Sequence, residues 1–260
     1  VAKPYELPTA VSQAIRVVSS PRFFMRIAER ADITEDDVEK EQLANLAENL
    51  VTTIEAVMST TEEKMDDRAM LVEKVVKAAA EPDSGEFLVP LSVERVDAMR
   101  AIMKKMDPVD QDEGFLSTID AWMNKSNLDG LDGMVGILQK VLQMYAGNAI
   151  VRARVELQAN VGAAVAGENQ SKADEVVAEQ QEAGSQPAAE LMDSLLLMDT
   201  DEWDVNMKQK FAENDTSQKA LTREIQRTME AVVLGLESGS MAQRVQAEYL
   251  KELLTRTEQQ

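Results

Sequence analysis

The stretch from Asp32 to Glu81 contains neither glycine nor proline, the two residues least compatible with a helix interior. It reads as one long acidic helix or two helices end to end. Thr34 is placed to cap it, and Glu35, Asp36 and Asp37 put negative charge at the positive end of the helix dipole. Apolar residues follow at Leu43, Leu46, Leu50, Ile54 and Val57, spaced by three and four, as on a helix with one buried face. The stripe thins over Ser59–Glu63 and resumes at Met65, Met70, Leu71, Val75, Val76 and Ala79, until Pro82, Asp83, Ser84 and Gly85 end it. An unbroken helix from Thr34 to Glu81 would be about 70 Å long at the usual rise per residue. That exceeds the diameter of a compact domain of this size. The expectation is a break near Ser59–Glu63 or a helix that projects beyond its core. The polar patch also interrupts any coiled-coil repeat.

The rest of the chain predicts an all-α fold, an irregular multi-helix bundle carrying this long N-terminal acidic helix. Hydrophobic residues make up 44% of the 260, but only 4% are aromatic and 15 are methionine, so the core is aliphatic with methionine filling its gaps. Such a composition suits helices better than a β-sandwich. Thr9 is placed to cap a short helix over 10–18. Ser20-Pro21 is a cap followed by proline at the first helical position, opening a helix to Ala31 with Phe23, Phe24 and Ile27. These rings either anchor the first helices on a core or form an exposed docking edge.

Pro90 holds the apolar run Phe87-Leu-Val-Pro-Leu91 out of helix. Helices are expected over 93–106, 112–126, 187–198, 202–214, from 218 after the Ser217 cap, and over 241–257. Another begins at Leu131; it either stops at Gly147 or continues to about Val165, with a strand over 149–157 as the lesser alternative. Residues 167–186 lack an apolar stripe and read as a flexible linker. The expected organisation is an N-terminal helical domain over 1–166, that linker, and a C-terminal helical unit over 187–260.

With 47 acidic and 27 basic residues, the formal net charge is −20. Nucleic acid and anionic membrane surfaces, which require clustered cations, are poor partners for such a chain. The charge serves solubility, or it meets a basic protein partner. Cysteine and histidine are both absent, so disulfides, zinc thiolate sites, and Ser-His-Asp or Cys-His catalysis are impossible. No apolar run is long enough to span a membrane, which leaves peripheral association through a partner. The chain starts at Val1 without methionine, as expected of a processed N-terminus.

Three acidic segments invite a metal reading. Asn127–Gly133 lacks the alternating ligands of a calcium loop and has Leu138 where the terminal glutamate belongs, so a turn with Asp132 as helix cap is the better reading. Asp199–Asp204 also lacks the loop glycine and is better read as a cap. Glu62, Glu63, Asp66 and Asp67 form an acidic helix face, with Glu62 beside Asp66 and Glu63 beside Asp67, an arrangement that repels itself. A di-metal carboxylate site would need such residues inward, usually with histidine partners. Arg100, Lys104 and Lys105 match a helix C-terminus. No catalytic residue, cofactor site or metal ligand is assigned. The four carboxylates are the candidate partner-binding residues.

Several blocks carry a resemblance. They are Ser19-Ser-Pro-Arg-Phe-Phe24, Phe87-Leu-Val-Pro-Leu91 with Ser92-Val-Glu-Arg-Val96, Leu131-Asp-Gly-Met-Val135 with Ile137-Leu-Gln-Lys-Val-Leu-Gln143, and Ser238-Gly-Ser-Met-Ala-Gln-Arg-Val-Gln-Ala-Glu-Tyr249. Together they resemble nucleus-encoded helical chloroplast proteins of plants and green algae with no assigned activity. The resemblance implies a stromal or thylakoid-associated location and a removed transit peptide, and it brings no functional residues. The function expected is a non-enzymatic helical interaction protein: a scaffold, assembly factor or peripheral subunit of a larger complex. The alternative is a carboxylate-dependent enzyme or a small-molecule-binding protein.

Overall fold

Every regular element among the described residues of the computed structural model, 7–167 and 186–260, is helical. The order is α1 (Leu7–Gln13), α2 (Ile15–Val18), α3 (Pro21–Ile33), α4 (Asp37–Lys77), α5 (Val93–Lys105), α6 (Glu113–Leu128), α7 (Asp132–Gly167), α8 (Gln186–Leu197), α9 (Trp203–Ala212), α10 (Gln218–Ala231) and α11 (Met241–Glu258). Short 3-10 turns lie at Pro108–Asp110, Thr200–Glu202 and Val233–Gly235. The all-α expectation therefore holds over these residues, and the segment 149–157 is helix rather than strand.

The chain separates into two compact units, Val1–Asp67 and Arg68–Gln260. In the first, Val11, Leu50 and Ile54 are buried, and Phe23, Phe24 and Ile27 pack half-buried against them. The two rings meet edge to face with centroids 5.8 Å apart. These aromatics anchor the small core. Ser20 caps α3 as expected, its hydroxyl accepting the Phe23 N–H at 3.3 Å. Thr9 lies inside α1 rather than capping it.

Thr34 likewise departs from expectation. It ends α3, and its hydroxyl donates to Glu39 at 2.6 Å. Asp36 supplies the side-chain cap of α4 instead, accepting the Val38 N–H at 2.9 Å. Thr34 and Asp36 are both competent caps, and the extent of α3 decides between them. The helix then runs without interruption through Ser59–Glu63, where the hydroxyls of Thr60 and Thr61 donate back to the carbonyls of Ala56 and Val57 at 2.8 Å. Threonine satisfied in this way stays compatible with a helix interior.

The second unit is built on one aliphatic core. Val72 and Val75 from the end of α4, Met99 and Met103 from α5, Phe115 and Ile119 from α6, and Leu138 and Val141 from α7 are all buried in it. Leu195 from α8, Trp203 from α9, Ile225 from α10 and Leu250 from α11 belong to the same cluster. The domain boundary expected at 167–186 is therefore not where the structure divides. Helices on both sides of that interval share a core, and the chain divides within α4. Polar composition marks a connection between helices; it carries no information on whether those helices pack together. The expected linker, except for its two end residues, lies outside the described residues.

The C-terminal end of α8 is satisfied by side chains from elsewhere in this unit. A helix leaves its last carbonyls without intrahelical donors. The Trp203 indole N–H donates to the Leu195 carbonyl at 2.7 Å, and the Tyr249 hydroxyl donates to that of Leu196 at 3.2 Å. Just beyond the helix, the Arg256 guanidinium donates to Thr200 at 2.7 Å and lies over the Trp203 ring. Burial pushes the Tyr249 phenol up from its ordinary pKa, so it remains the donor.

Candidate interaction surface

Glu62, Glu63, Asp66 and Asp67 all lie on α4 within the first unit. Glu63, Asp66 and Asp67 are exposed and make no ion pair among the described residues. Helical spacing keeps them neighbours, as the sequence requires.

Other acidic segments serve the fold. Asp199 accepts the Asp201 N–H at 2.9 Å and an ion pair from Lys140, which also reaches Asp201 at 3.1 Å. This bears out the cap reading of Asp199–Asp204 and adds a cation from α7 that sequence spacing gave no means of finding. Asp132 does not cap α7. Leu131 stands at that position, its carbonyl accepting the Met134 and Val135 N–H groups, while Asp132 is the first helical residue. Gly130 makes the turn with φ +69°. Asp112 caps α6, accepting the Phe115 N–H at 3.0 Å, and also receives Arg68 in a fork at 3.0 and 2.9 Å.

Burial pushes the Asp112 and Asp199 carboxyls upward, but other contacts outweigh it. Arg68 and the Phe115 N–H hold Asp112 below the ordinary carboxylate range; the Asp201 N–H and Lys140 do the same for Asp199. A carboxyl with a depressed folded pKa contributes stability above its unfolded value and loses it as pH falls through the folded value. The urea midpoint should therefore fall from about pH 4 downward. The double variant Asp112→Asn/Asp199→Asn should be less stable near neutrality and show a flatter acid limb. An acid limb as steep as that of the parent would show that these carboxyls do not control it.

A different part of the second unit carries exposed apolar side chains. After α4, the hydrogen bonds from Gly85 N–H to Glu81 and from Glu81 N–H to Glu86, both 2.8 Å, close a turn in which Gly85 has φ +71°. The chain then stays out of helix, as Pro90 led one to expect, but bends at Val89–Pro90 before α5 begins after Ser92. Leu91 packs against the core, but Leu88 is 56% exposed and Val89 55%, and Val93, the first residue of α5, is 65% exposed. A Cβ on Gly133 would stand 3.1 Å from Val89, so this loop lies against the start of α7. Leu128, the last residue of α6, is 88% exposed, and Leu131, just before α7, is 53% exposed. Scattered exposed leucines are ordinary; here the approach of Val89 to Gly133 brings two segments with exposed apolar residues together. Beside it opens a groove of about 650 Å³ bounded by Val76, Ala80, Pro82 and Phe87.

The second groove, about 820 Å³, lies between α10 and α11 with Met229, Val233 and Ala247 among its walls. Ser240 and Gln243 on its wall are committed to the fold, whereas Gln226 and Glu230 make no side-chain hydrogen bond or ion pair among the described residues. Ser240 caps α11, and Gln243 both accepts the Gly239 N–H at 3.0 Å and donates to Val233 at 3.2 Å. Arg244 faces Asp120 at 3.6 Å. Among the described residues no three carboxylates converge as a metal site, and no helix is long and apolar enough to cross a membrane. Compared with protein-family models, curated proteins and solved structures, the chain matches none of them.

Proposed function

We propose that this chain is a non-enzymatic helical interaction protein, acting as a scaffold, assembly factor or peripheral subunit of a larger complex. The observation that carries the reading is the exposed apolar surface of the second unit, formed by Leu88, Val89, Val93, Leu128 and Leu131. Leaving such side chains in water forgoes roughly 25 cal/mol per Å² of apolar area, which a partner recovers by covering them. The carboxylate-enzyme or ligand-binder alternative draws less support, because Ser240 and Gln243 at the larger groove are engaged with backbone groups. The resemblance to chloroplast proteins supports a stromal or thylakoid-associated location, reached through a partner.

Glu62, Glu63, Asp66 and Asp67 are proposed as a second contact, for a basic partner. Replacing all four with their amides should leave stability equal or slightly higher, since neighbouring like charges on a helix repel. Association with a partner purified from the native organelle should slow, because charge complementarity acts mainly on encounter rate. The effect should fade with salt, which screens exposed charges over about 8 Å at physiological ionic strength. Stopped-flow association and urea unfolding of the variant measure both quantities. Unchanged association kinetics would remove these four residues from the interface. Turnover of a metabolite that depended on a buried carboxylate would overturn the non-enzyme reading.

A further inference from the structure

We infer that the apolar surface around Leu88 receives a cationic amphipathic segment of a protein partner. The inference rests on the interaction reading above and adds the chemistry of the occupant. The two segments that carry the apolar side chains of this surface bear charge of one sign, and of their five carboxylates Asp129 alone is paired, with Lys125. Residues 83–94 contain Asp83, Glu86 and Glu94, and residues 126–139 contain Asp129 and Asp132; neither stretch contains lysine or arginine. All five carboxylate residues are exposed. The cations that flank them are already engaged. Arg95 is half-buried and donates to the Ala80 carbonyl at 3.2 Å, Lys125 faces Asp129 at 3.5 Å, and Lys77 pairs with Glu73 at 2.7 Å.

An apolar centre with a rim of one sign selects its occupant by charge. A second copy of this chain would set the same five carboxylates against themselves. An anionic lipid surface or a nucleic acid backbone would meet the same repulsion. A segment with an apolar face for Leu88, Val89, Val93, Leu128 and Leu131, flanked by lysine or arginine, satisfies both features. It would lose affinity with salt through the rim and be held by the apolar centre.

The probe is a labelled amphipathic peptide of leucine and lysine, paired with an isomer in which glutamate replaces lysine. Binding of each to the full chain is read by fluorescence anisotropy as salt is raised. Leu88→Ser/Val93→Ser/Leu128→Ser removes apolar groups that are already exposed, and circular dichroism checks that it folds. Asp83→Asn/Glu86→Gln/Glu94→Gln/Asp129→Asn/Asp132→Asn removes the rim charge. A charge-matched control neutralises Glu35, Asp37, Glu41, Glu48 and Glu55 on and before α4.

The lysine peptide should bind the parent. The serine variant should weaken it by about tenfold or more, the size of effect typical of a central apolar contact. The rim variant should weaken it and flatten the salt dependence, while the charge-matched control stays close to the parent. Absence of lysine-peptide binding, equal weakening by the control, or preference for the glutamate peptide each overturns the inference. So does self-association in light scattering, or binding to phosphatidylglycerol vesicles, that the serine variant abolishes. The broader interaction reading fails separately, if the serine variant and the four-amide variant both recover every organelle partner as the parent does.

Discussion

Replacing Arg154 with methionine should destabilise the protein by about 3–5 kcal/mol, the usual cost of breaking a buried ion pair from one side. Arg154 is on α7 and only 7% exposed. Its Nε donates to Asp193 on α8 at 2.8 Å, and its Nη1 donates to Glu224 on α10 at 2.7 Å and to the Thr228 hydroxyl. One side chain thus joins three helices. Without it, Glu224 is left as a carboxylate with little access to water and no cation. Asp193, 40% exposed, can still be solvated, so Glu224 carries most of the penalty. Urea unfolding should show the loss directly, and the melting temperature should fall by about 10 °C for a unit of this size.

The double variant Arg154→Met/Glu224→Leu should recover a good part of that stability, since apolar replacement of an entire buried pair is often close to neutral. A single variant within about 1 kcal/mol of the parent would mean that the cluster is hydrated in solution and counts as a surface pair. The Nη2 of Arg154 has no partner among the described residues.

Gly147→Ala should cost about 2–4 kcal/mol, although glycine to alanine inside a helix is ordinarily worth nearly 1 kcal/mol in the other direction. A Cβ at Gly147 would overlap the carbonyl oxygen of Leu196, a backbone atom that cannot rotate aside, and would stand 3.6 Å from the Tyr249 hydroxyl. To admit the methyl group, α7 and the end of α8 must move apart. The hydrogen bond from Tyr249 to Leu196 is then strained or lost, leaving a buried carbonyl short of a donor.

Gly136, on the same helix, is the internal comparison. A Cβ there would meet nothing within 4 Å. Gly136→Ala should therefore be neutral or stabilising by up to about 1 kcal/mol. Thermal melts of the two variants side by side separate the close crossing from helix propensity. Equal effects at the two positions would show that α7 and α8 do not approach as closely as described.

The same two residues show the limit of sequence pattern. From sequence, Gly147 is either the end of a helix or a tolerated interruption, because a glycine cap and a glycine at a close crossing are the same residue in a list. Here α7 continues through Gly147, because the Leu196 backbone occupies the space where a side chain would be. Arg154 looks like one more surface cation until α8 and α10 bring Asp193 and Glu224 to it. Lys140 meets Asp199 in the same way, across a separation that no local spacing reveals.

What the sequence alone determined was local. Spacings of three and four along α4, α6, α10 and α11, the caps Ser20 and Ser217, and the non-helical run forced by Pro90 are all properties of neighbouring residues, and they suffice for an all-α fold. They also suffice to exclude thiol and imidazole chemistry, since those side chains are absent. Tertiary structure decided whatever depends on which helices meet. The division of the chain lies inside α4, where no glycine or proline marks it, because core membership is a property of packing. It also decided that within the apolar run Phe87–Leu91 only Leu91 packs against the core, while Leu88 and Val89 stay exposed. Hydrophobicity states that a side chain gains from burial; only the arrangement of the other helices determines whether this chain or a partner provides it.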